Sequence, residues 1–448
     1  MALKKRILGS LGANLVNQAL NFFIQIASVP IFLKSWGIET YGEWLLLSTI
    51  PAYLLLSDLG FCNIASNEMT IYVAENKKEK AIEVLQTTCV FLVFIAAVML
   101  AIVLVIDQLF LDRLSFFKTI NINEIRIIIY GFLTIVVIGL QYGLISAGYR
   151  CDGNNNIPIW INNAFRILEF IVLVILLKND YGPVSVVISL VTIRLINYIF
   201  STYILFIYSP WINFGIKYFK FARIKEMLIP SISYMSIPIG SIMKNQGLIM
   251  IVGIYLPTPL IVMFSTTRTL TNSCTQLMGI INYSLWPEYS IAYGKKNIAL
   301  LSRLHTLSCS ATFWISFCGV AFLSIFGVQI IKIWTLNQVN VDKFFFIIML
   351  VIVLINSLWY SSSALLGATN NYQKISIINL FSVALSIVLS LIMIRSFALT
   401  GIGVALLVSE ILMVYFVIRE SLNLLNENAM NFFTDILQPL KLIGVKLS

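Results

Sequence analysis

Apolar runs of about 20 residues, each long enough to cross a hydrocarbon layer of about 30 Å as a helix, recur along the whole of this chain of 448 residues. Little else is left between them. Charged residues make up 11% of the chain, against about 25% in soluble domains. Twelve spans fit, near 11–33, 43–66, 84–106, 126–148, 157–177, 183–208, 228–254, 259–284, 306–330, 344–367, 375–394 and 400–419. Connections are short except near 209–227 and 285–305, and the longest on the other side of the membrane is 107–125. None is large enough to fold as a domain, so the function has to sit within the helices. The opening MALKKRILGSLGANLVNQAL is basic and then apolar without a small-residue cleavage site, which predicts a retained first span.

Lysine and arginine orient these spans. With the N-terminus inside, 18 of the 30 basic residues fall on cytoplasmic segments (Lys4–Arg6, Lys77–Lys80, Lys217–Lys225, Lys295–Arg303, Lys441 and Lys446 among them), 8 on outer segments such as Arg113, and 4 inside spans. Both termini are expected in the cytoplasm. The net charge of +10 then has a topological origin and implies no nucleic-acid partner. The expected fold class is all-α: a polytopic membrane protein of about 12 transmembrane helices in two six-helix bundles around a central polar cavity. Residues 1–208 form the N-terminal lobe, 209–227 a cytoplasmic interfacial linker, 228–420 the C-terminal lobe and 421–448 a cytoplasmic tail. Within the linker, NFGIKYFKFARIKEM (213–227) mixes apolar and basic residues at helical spacing and reads either as an interfacial helix or as a plain basic connection.

The halves resemble each other. GYRCDGNNNIPIWINNAFRI (148–167) aligns with ALLGATNNYQKISIINLFSV (364–383) at an offset of 216, superposing Asn154 on Asn370, Asn155 on Asn371 and Asn163 on Asn379. Six spans repeated with the same hand describe a parallel repeat about an axis along the membrane normal, an arrangement that binds substrate between its halves.

Seven charged side chains lie inside the spans: Asp58, Arg166, Glu169, Arg194, Lys244, Arg268 and Glu410. A charge at the bilayer centre costs roughly 2.5–3.5 kcal/mol. Seven facing lipid would cost on the order of 20 kcal/mol, more than a folding margin of about 5–15 kcal/mol. They must face one another or water. Arg166 and Glu169 stand three apart and can pair on one helical face. Arg194 has no local partner. Lys244 and Arg268 share their spans with no acid, and the nearest candidates are Asp58 and Glu410. Unpaired buried cations suit an anion that comes and goes, and phosphate or pyrophosphate matches both the fork of Arg and the point charge of Lys.

Uncharged polar residues fall in stripes. Span one carries Asn14, Asn17, Gln18, Asn21 and Gln25 at steps of three and four, and span eight carries Ser265, Arg268, Asn272 and Gln276. Span seven offers Ser231, Tyr234, Ser241, Lys244 and Asn245, with an expected kink between Pro230 and Pro238. Any single amide serves equally as glue between helices, at about 0.6–2 kcal/mol. The span-one stripe as a whole points to a cavity.

Residues 10–70 carry an outer loop of the form G-x-x-x-Y-G-x-W, Gly37 to Trp44, and an Asp-Leu-Gly on span two, Asp58 to Gly60. In these features, and in its twelve-span layout, the chain resembles bacterial Wzx-type polysaccharide (O-antigen or capsule) flippases of the multidrug/oligosaccharidyl-lipid/polysaccharide exporter superfamily. The resemblance implies an inner-membrane transporter without cofactor that moves undecaprenyl-pyrophosphate-linked oligosaccharide units by alternating access. The implied partners are membrane lipids, a polysaccharide polymerase, a chain-length regulator, and H+ or Na+ as driving ion. Related lipid II flippases use arginines on spans one, two and eight; this chain matches only at span eight, through Arg268, which favours a polysaccharide unit over lipid II. The expected substrate groups are Lys244, Arg268, Arg194 and Arg166, with Asn14, Asn17, Asn21, Gln25, Asn272 and Gln276 for the sugars. Asp58, Glu169 and Glu410 are the ion-coupling candidates.

Other chemistries lack their motifs. There is no GxxxxGK[ST] for a nucleotide, no CxxC or HExxH for a metal and no GxSxG for acyl transfer. The six cysteines lie in or beside apolar spans and read as small hydrophobes. Two alternatives remain open. A membrane polysaccharide polymerase would need a larger outer loop than the one holding Arg113 and Arg126. A multidrug/cation antiporter of the sister branch would need an interior with more acids than bases.

Overall fold

The computed structural model describes residues 2–110, 117–369 and 372–437, and within them the regular structure is entirely helical. Arg113, Asn370, Asn371, Lys441 and Lys446 lie outside the described residues, as do the side chains of Lys4, Lys5, Arg6 and Tyr234. Among the described residues, eight helical stretches are long and apolar enough to cross a membrane. This is a multi-pass, all-α membrane protein. One of those stretches holds two expected spans, because α13 (Tyr372–Leu425) breaks inside it at Ala398, and another runs from the first expected span into the start of the second, with α1 (Ala2–Leu47) breaking at Gly37; the expected spans near 228–254 and 259–284 are not among the eight. Gly37 adopts φ 71°, ψ 179°, a region open essentially to glycine alone. That conformation explains the first glycine of the outer-loop motif.

The rest of that motif is a clasp. Phe32 stacks on Tyr41 with ring centres 5.2 Å apart, and Trp44 meets Phe132 at 5.5 Å. Glu43 is buried and accepts hydrogen bonds from the backbone N–H groups of Lys118, Thr119 and Ile120 at 2.6, 3.0 and 2.9 Å, and from the Thr119 hydroxyl at 2.7 Å. A carboxylate in such a nest satisfies several amide donors that the apolar surroundings would leave bare.

Span two, expected to run continuously over 43–66, is interrupted. After α2 (Ile50–Leu54) and a 3-10 turn (Leu55–Asp58), Leu59 and Gly60 both turn left-handed, at φ 49° and 80°, before α3 (Phe61–Ala74) begins. The Asp58 carboxylate accepts the Gly60 N–H at 2.9 Å, standing in for the helical bond lost at the break. Gly60 lies against α8 (Phe221–Ile242), where an added Cβ would come within 2.8 Å of the Ser231 carbonyl oxygen. The Asp-Leu-Gly triplet is thus a helix break, with Asp58 bonded across it, Gly60 suited to its left-handed turn, and Leu59 held at a φ that a bulky side chain disfavours.

Helices α4 (Lys78–Phe110), α5 (Ile122–Cys151), α6 (Asn156–Lys178) and α7 (Pro183–Tyr208) follow. Of the two readings of 213–227, the structure fits the plain connection better: residues 209–220 are irregular, and helix starts only at Phe221, as the first turn of α8. Side chains take up the bonds a helix would have made. Gln86 accepts the Tyr218 N–H at 2.8 Å and donates to the Asn213 carbonyl at 3.0 Å, while Trp211 donates to Asp152 at 3.0 Å. Helix α8 runs on through both prolines and widens later, into a π-turn at Met243–Gly247 that leads into α9 (Leu248–Tyr255).

The remaining helices are α10 (Thr258–Gly294), α11 (Ile298–Trp334), α12 (Lys343–Ala368), α13 and α14 (Ala429–Leu437). The chain divides into two compact units, Met1–Ile242 and Met243–Ser448. The first is built around Phe61, Met69, Leu85, Leu92, Leu144 and Tyr149. The second has Tyr289, Leu301 and Leu365 at its centre, flanked by fully buried Thr312, Ser357, Ser361 and Ser362, small hydroxyls that let α11 and α12 approach closely. Phe432 and Ile436 of α14 are buried against Cys309 of α11, and Trp314 and Ser310 donate to the Ile436 carbonyl.

Candidate functional site

In the second unit three intramembrane charges gather at one turn of backbone. A π-turn lets a carbonyl slip from its regular helical partner, and the turn at Met243–Gly247 presents the Asn245 carbonyl to Arg268 of α10, whose Nη1 donates to it at 2.8 Å. The guanidinium lies 5.3 Å from the centre of the Phe264 ring, a cation–π distance. One residue before Asn245, the Lys244 ammonium bonds Oε1 of Glu410 on α13.

Glu410 is almost wholly enclosed, with its side chain 2% exposed against 28% for Lys244. Its other oxygen, Oε2, accepts from Trp359 Nε1 at 2.7 Å and from Asn356 Nδ2 at 3.1 Å, both on α12. Lys244 is therefore not the unpaired cation expected from its own span. Its partner comes from a helix 166 residues away in sequence. Asn272 and Gln276 follow Arg268 at steps of four on α10, half-buried and exposed respectively.

The first unit holds a second charged group. Glu169 of α6 accepts from Arg194 Nε of α7 at 3.0 Å. The expected Arg166–Glu169 pair is replaced by this one. Helices α6 and α7 pack side by side, so Arg194 reaches straight across, and Arg194 is not the partnerless cation it looked in sequence. Arg166 stays half-buried on the same helix. Asp58 belongs to neither group; it holds the break before α3.

The stripe on α1 is split by packing. Asn163 of α6 is buried and donates to the Ala13 carbonyl at 3.1 Å, and Phe23 meets Phe170 with ring centres 5.9 Å apart. Beside this contact Asn17 and Asn21 are half-buried, each with a buried side-chain oxygen that finds no partner among the described residues. Asn14, Gln18 and Gln25 are exposed. Sequence reasoning missed Glu43, Phe264, Asn356 and Trp359. Asn356 had a legible signal, as a lone amide within FFFIIMLVIVLINSLWY, but nothing in the sequence said what it would hold.

No protein-family model and no curated protein matches the chain. Solved structures do. An inward-facing multidrug resistance MATE family transporter of the MOP superfamily superposes with a TM-score of 0.71 at 17% identity, covering 92% of this chain and 96% of that one. The lipid II flippase MurJ, in an inward closed conformation, gives 0.70 at 15% identity, covering 99% and 94%. A MOP superfamily transporter from Pyrococcus furiosus, described as having a binding pocket of reverse polarity, gives 0.58 at 16%, covering 95% and 97%. At these identities the likeness establishes the fold, that of MOP-superfamily transporters, over nearly the whole chain. It shows the fold alone and does not distinguish a drug transporter from a lipid flippase.

Proposed function

We propose that the protein is a flippase for oligosaccharide units carried on a lipid pyrophosphate, undecaprenyl pyrophosphate in a bacterial inner membrane, working by alternating access. One observation carries the reading: in each of the two charged groups the cations outnumber the carboxylates. Lys244 and Arg268 reach the 243–247 turn, where Glu410 is the carboxylate in contact; Arg166 and Arg194 flank Glu169 in the same way. A fixed positive surplus inside the membrane is repaid by a transient polyanion, and a pyrophosphate offers oxygens to both a fork and a point charge. Asn272 and Gln276 on α10, and Asn14, Asn17, Asn21 and Gln25 on α1, are each candidates to offer amides to sugar hydroxyls. Glu169 and Glu410 already hold a cation each, which weighs against the multidrug/cation antiporter reading, since drug cations would need free acids.

Deletion in the native host tests this. Complete single repeat units should accumulate on the lipid at the cytoplasmic face while surface glycan disappears. If single units instead reach the outer face and fail to lengthen, the protein is a polymerase. Unchanged glycan with raised sensitivity to cationic drugs would make it an antiporter.

A further inference from the structure

The two oxygens of Glu410 are not equivalent, and the difference fixes where a proton can go. Oε2 accepts from Trp359 Nε1 and from Asn356 Nδ2. An indole N–H can only donate, so Oε2 is held as an acceptor whatever the charge on the carboxyl. A proton therefore has to sit on Oε1, the atom that the Lys244 ammonium occupies. A protonated Oε1 is neutral: it becomes a donor, and the acceptor capacity it keeps no longer carries the charge that holds an ammonium. Proton and Lys244 compete for one atom.

We infer that anion binding at Lys244 and proton binding at Glu410 are positively linked: a proton on Oε1 releases the ammonium to an anion, and an anion that takes the ammonium leaves Oε1 to be protonated from water. Without the proton, drawing Lys244 away would strand a carboxylate that is 2% exposed, which is strongly disfavoured. The charged neighbours are few. Lys244, from the π-turn, is the charged group in contact with Glu410. Arg268 of α10 is engaged by the Asn245 carbonyl, α12 contributes only neutral Asn356 and Trp359, and α9 ends in Tyr255 under Arg395. On α11, His305 is turned to Ser362 and Phe432. Trp359 and Asn356 are positioning residues: they keep Oε2 occupied and so make the exchange on Oε1 exclusive. The inference rests on the flippase reading only for the anion's place at Lys244, and it adds the sign of coupling and the atom that carries it.

The test is calorimetric titration of the full-length purified protein with inorganic pyrophosphate, in buffers of different ionisation heat, between pH 5 and 8. Protons taken up per anion are compared between wild type and Glu410→Gln, so that the ligand's own protons cancel. Wild type should take up more protons than Glu410→Gln, by a difference approaching one. The variant should bind at least tenfold more tightly than wild type at pH 8, with the gap closing toward pH 5. The double variant Trp359→Phe with Asn356→Leu frees Oε2 and should flatten the pH dependence of wild-type affinity by more than half. Lys244→Gln gives a second route, since it should abolish the extra proton uptake. Pyrophosphate binding with equal proton counts in wild type and Glu410→Gln overturns the linkage and leaves the flippase reading standing. Extra uptake that persists in Lys244→Gln, or that Na+ replaces, also overturns it. No binding to wild type at any pH overturns both.

Discussion

Removing Lys244 should destabilise the protein far more than removing Glu410, although the two form one ion pair. Lys244→Met leaves a carboxylate that is 2% exposed facing two neutral donors. Breaking a buried pair in this way costs about 3–5 kcal/mol. The loss has a ceiling, because the carboxyl can shed its charge by taking a proton. That ceiling falls by about 1.4 kcal/mol for each pH unit of acidification. Glu410→Gln keeps an amide oxygen for Asn356 and Trp359 and leaves a lysine that is 28% exposed, whose flexible stem can carry the ammonium to water; about 1 kcal/mol is expected, the scale of one hydrogen bond. The double variant, without either charge, should lie within about 1.5 kcal/mol of wild type, giving a coupling energy of about 3 kcal/mol. At about 2–4 °C per kcal/mol for a unit of this size, Lys244→Met should melt roughly 7–15 °C below wild type at pH 7. The gap should narrow to a few degrees at pH 5, the direction required because acid removes the stranded charge. Thermal unfolding can be followed with a thiol-reactive dye that reports exposure of Cys274 and Cys309, both buried in this unit. Equal losses for the two single variants, an additive double variant, or a Lys244→Met deficit unchanged by acid would refute the reasoning.

Arg268→Glu should abolish glycan export while protein levels hold, and Arg268→Lys should retain part of it, since lysine keeps the charge but loses the fork; wild-type export by Arg268→Glu would remove this residue from the site. Glu43→Gln should lower stability by about 2–3 kcal/mol, because one acceptor oxygen must then answer donors that the carboxylate shared between two, and an amide NH2 faces N–H groups; a melting point within a degree of wild type would show the clasp to be dispensable. Gly60→Ala should lose about 2 kcal/mol or more, from a left-handed φ of 80° and a Cβ set 2.8 Å from the Ser231 carbonyl oxygen. Gly139→Ala, which meets nothing within 4 Å, is the control, and helix propensity predicts it to be neutral or stabilising by up to about 1 kcal/mol.

Much of the fold was legible because membrane spans are local. Length and apolarity of α4, α5, α6, α7, α11 and α12 can each be read within one stretch of chain. The breaks were harder. Gly37 announces itself as a glycine in a polar motif, but Ala398, at φ 47°, carries no such signal, and its conformation is imposed by the tight turn that brings Gly401 against Met393. The interruption at Leu59–Gly60 lay inside an apolar run, and only the approach of α8 gives it a reason. Spacing chose the wrong partner for Glu169, because a neighbour three residues along a helix competes with a longer side chain reaching from the next helix.

By itself, the sequence determined that the chain lies in a membrane as a set of helices and that seven charges inside it must be answered within the protein. Both follow from what water and hydrocarbon accept, and neither needs to know which helix lies beside which. Only the tertiary structure decided how six of them are answered: Asp58 by a broken helix, Glu169 by Arg194, Arg268 by a carbonyl released in a π-turn, and Lys244 by a carboxylate on α13. The strength of such pairing depends on distance and on what surrounds the pair. Those are set by the packing of helices far apart in the chain, which is why the need for partners could be read from the residues and their identity could not.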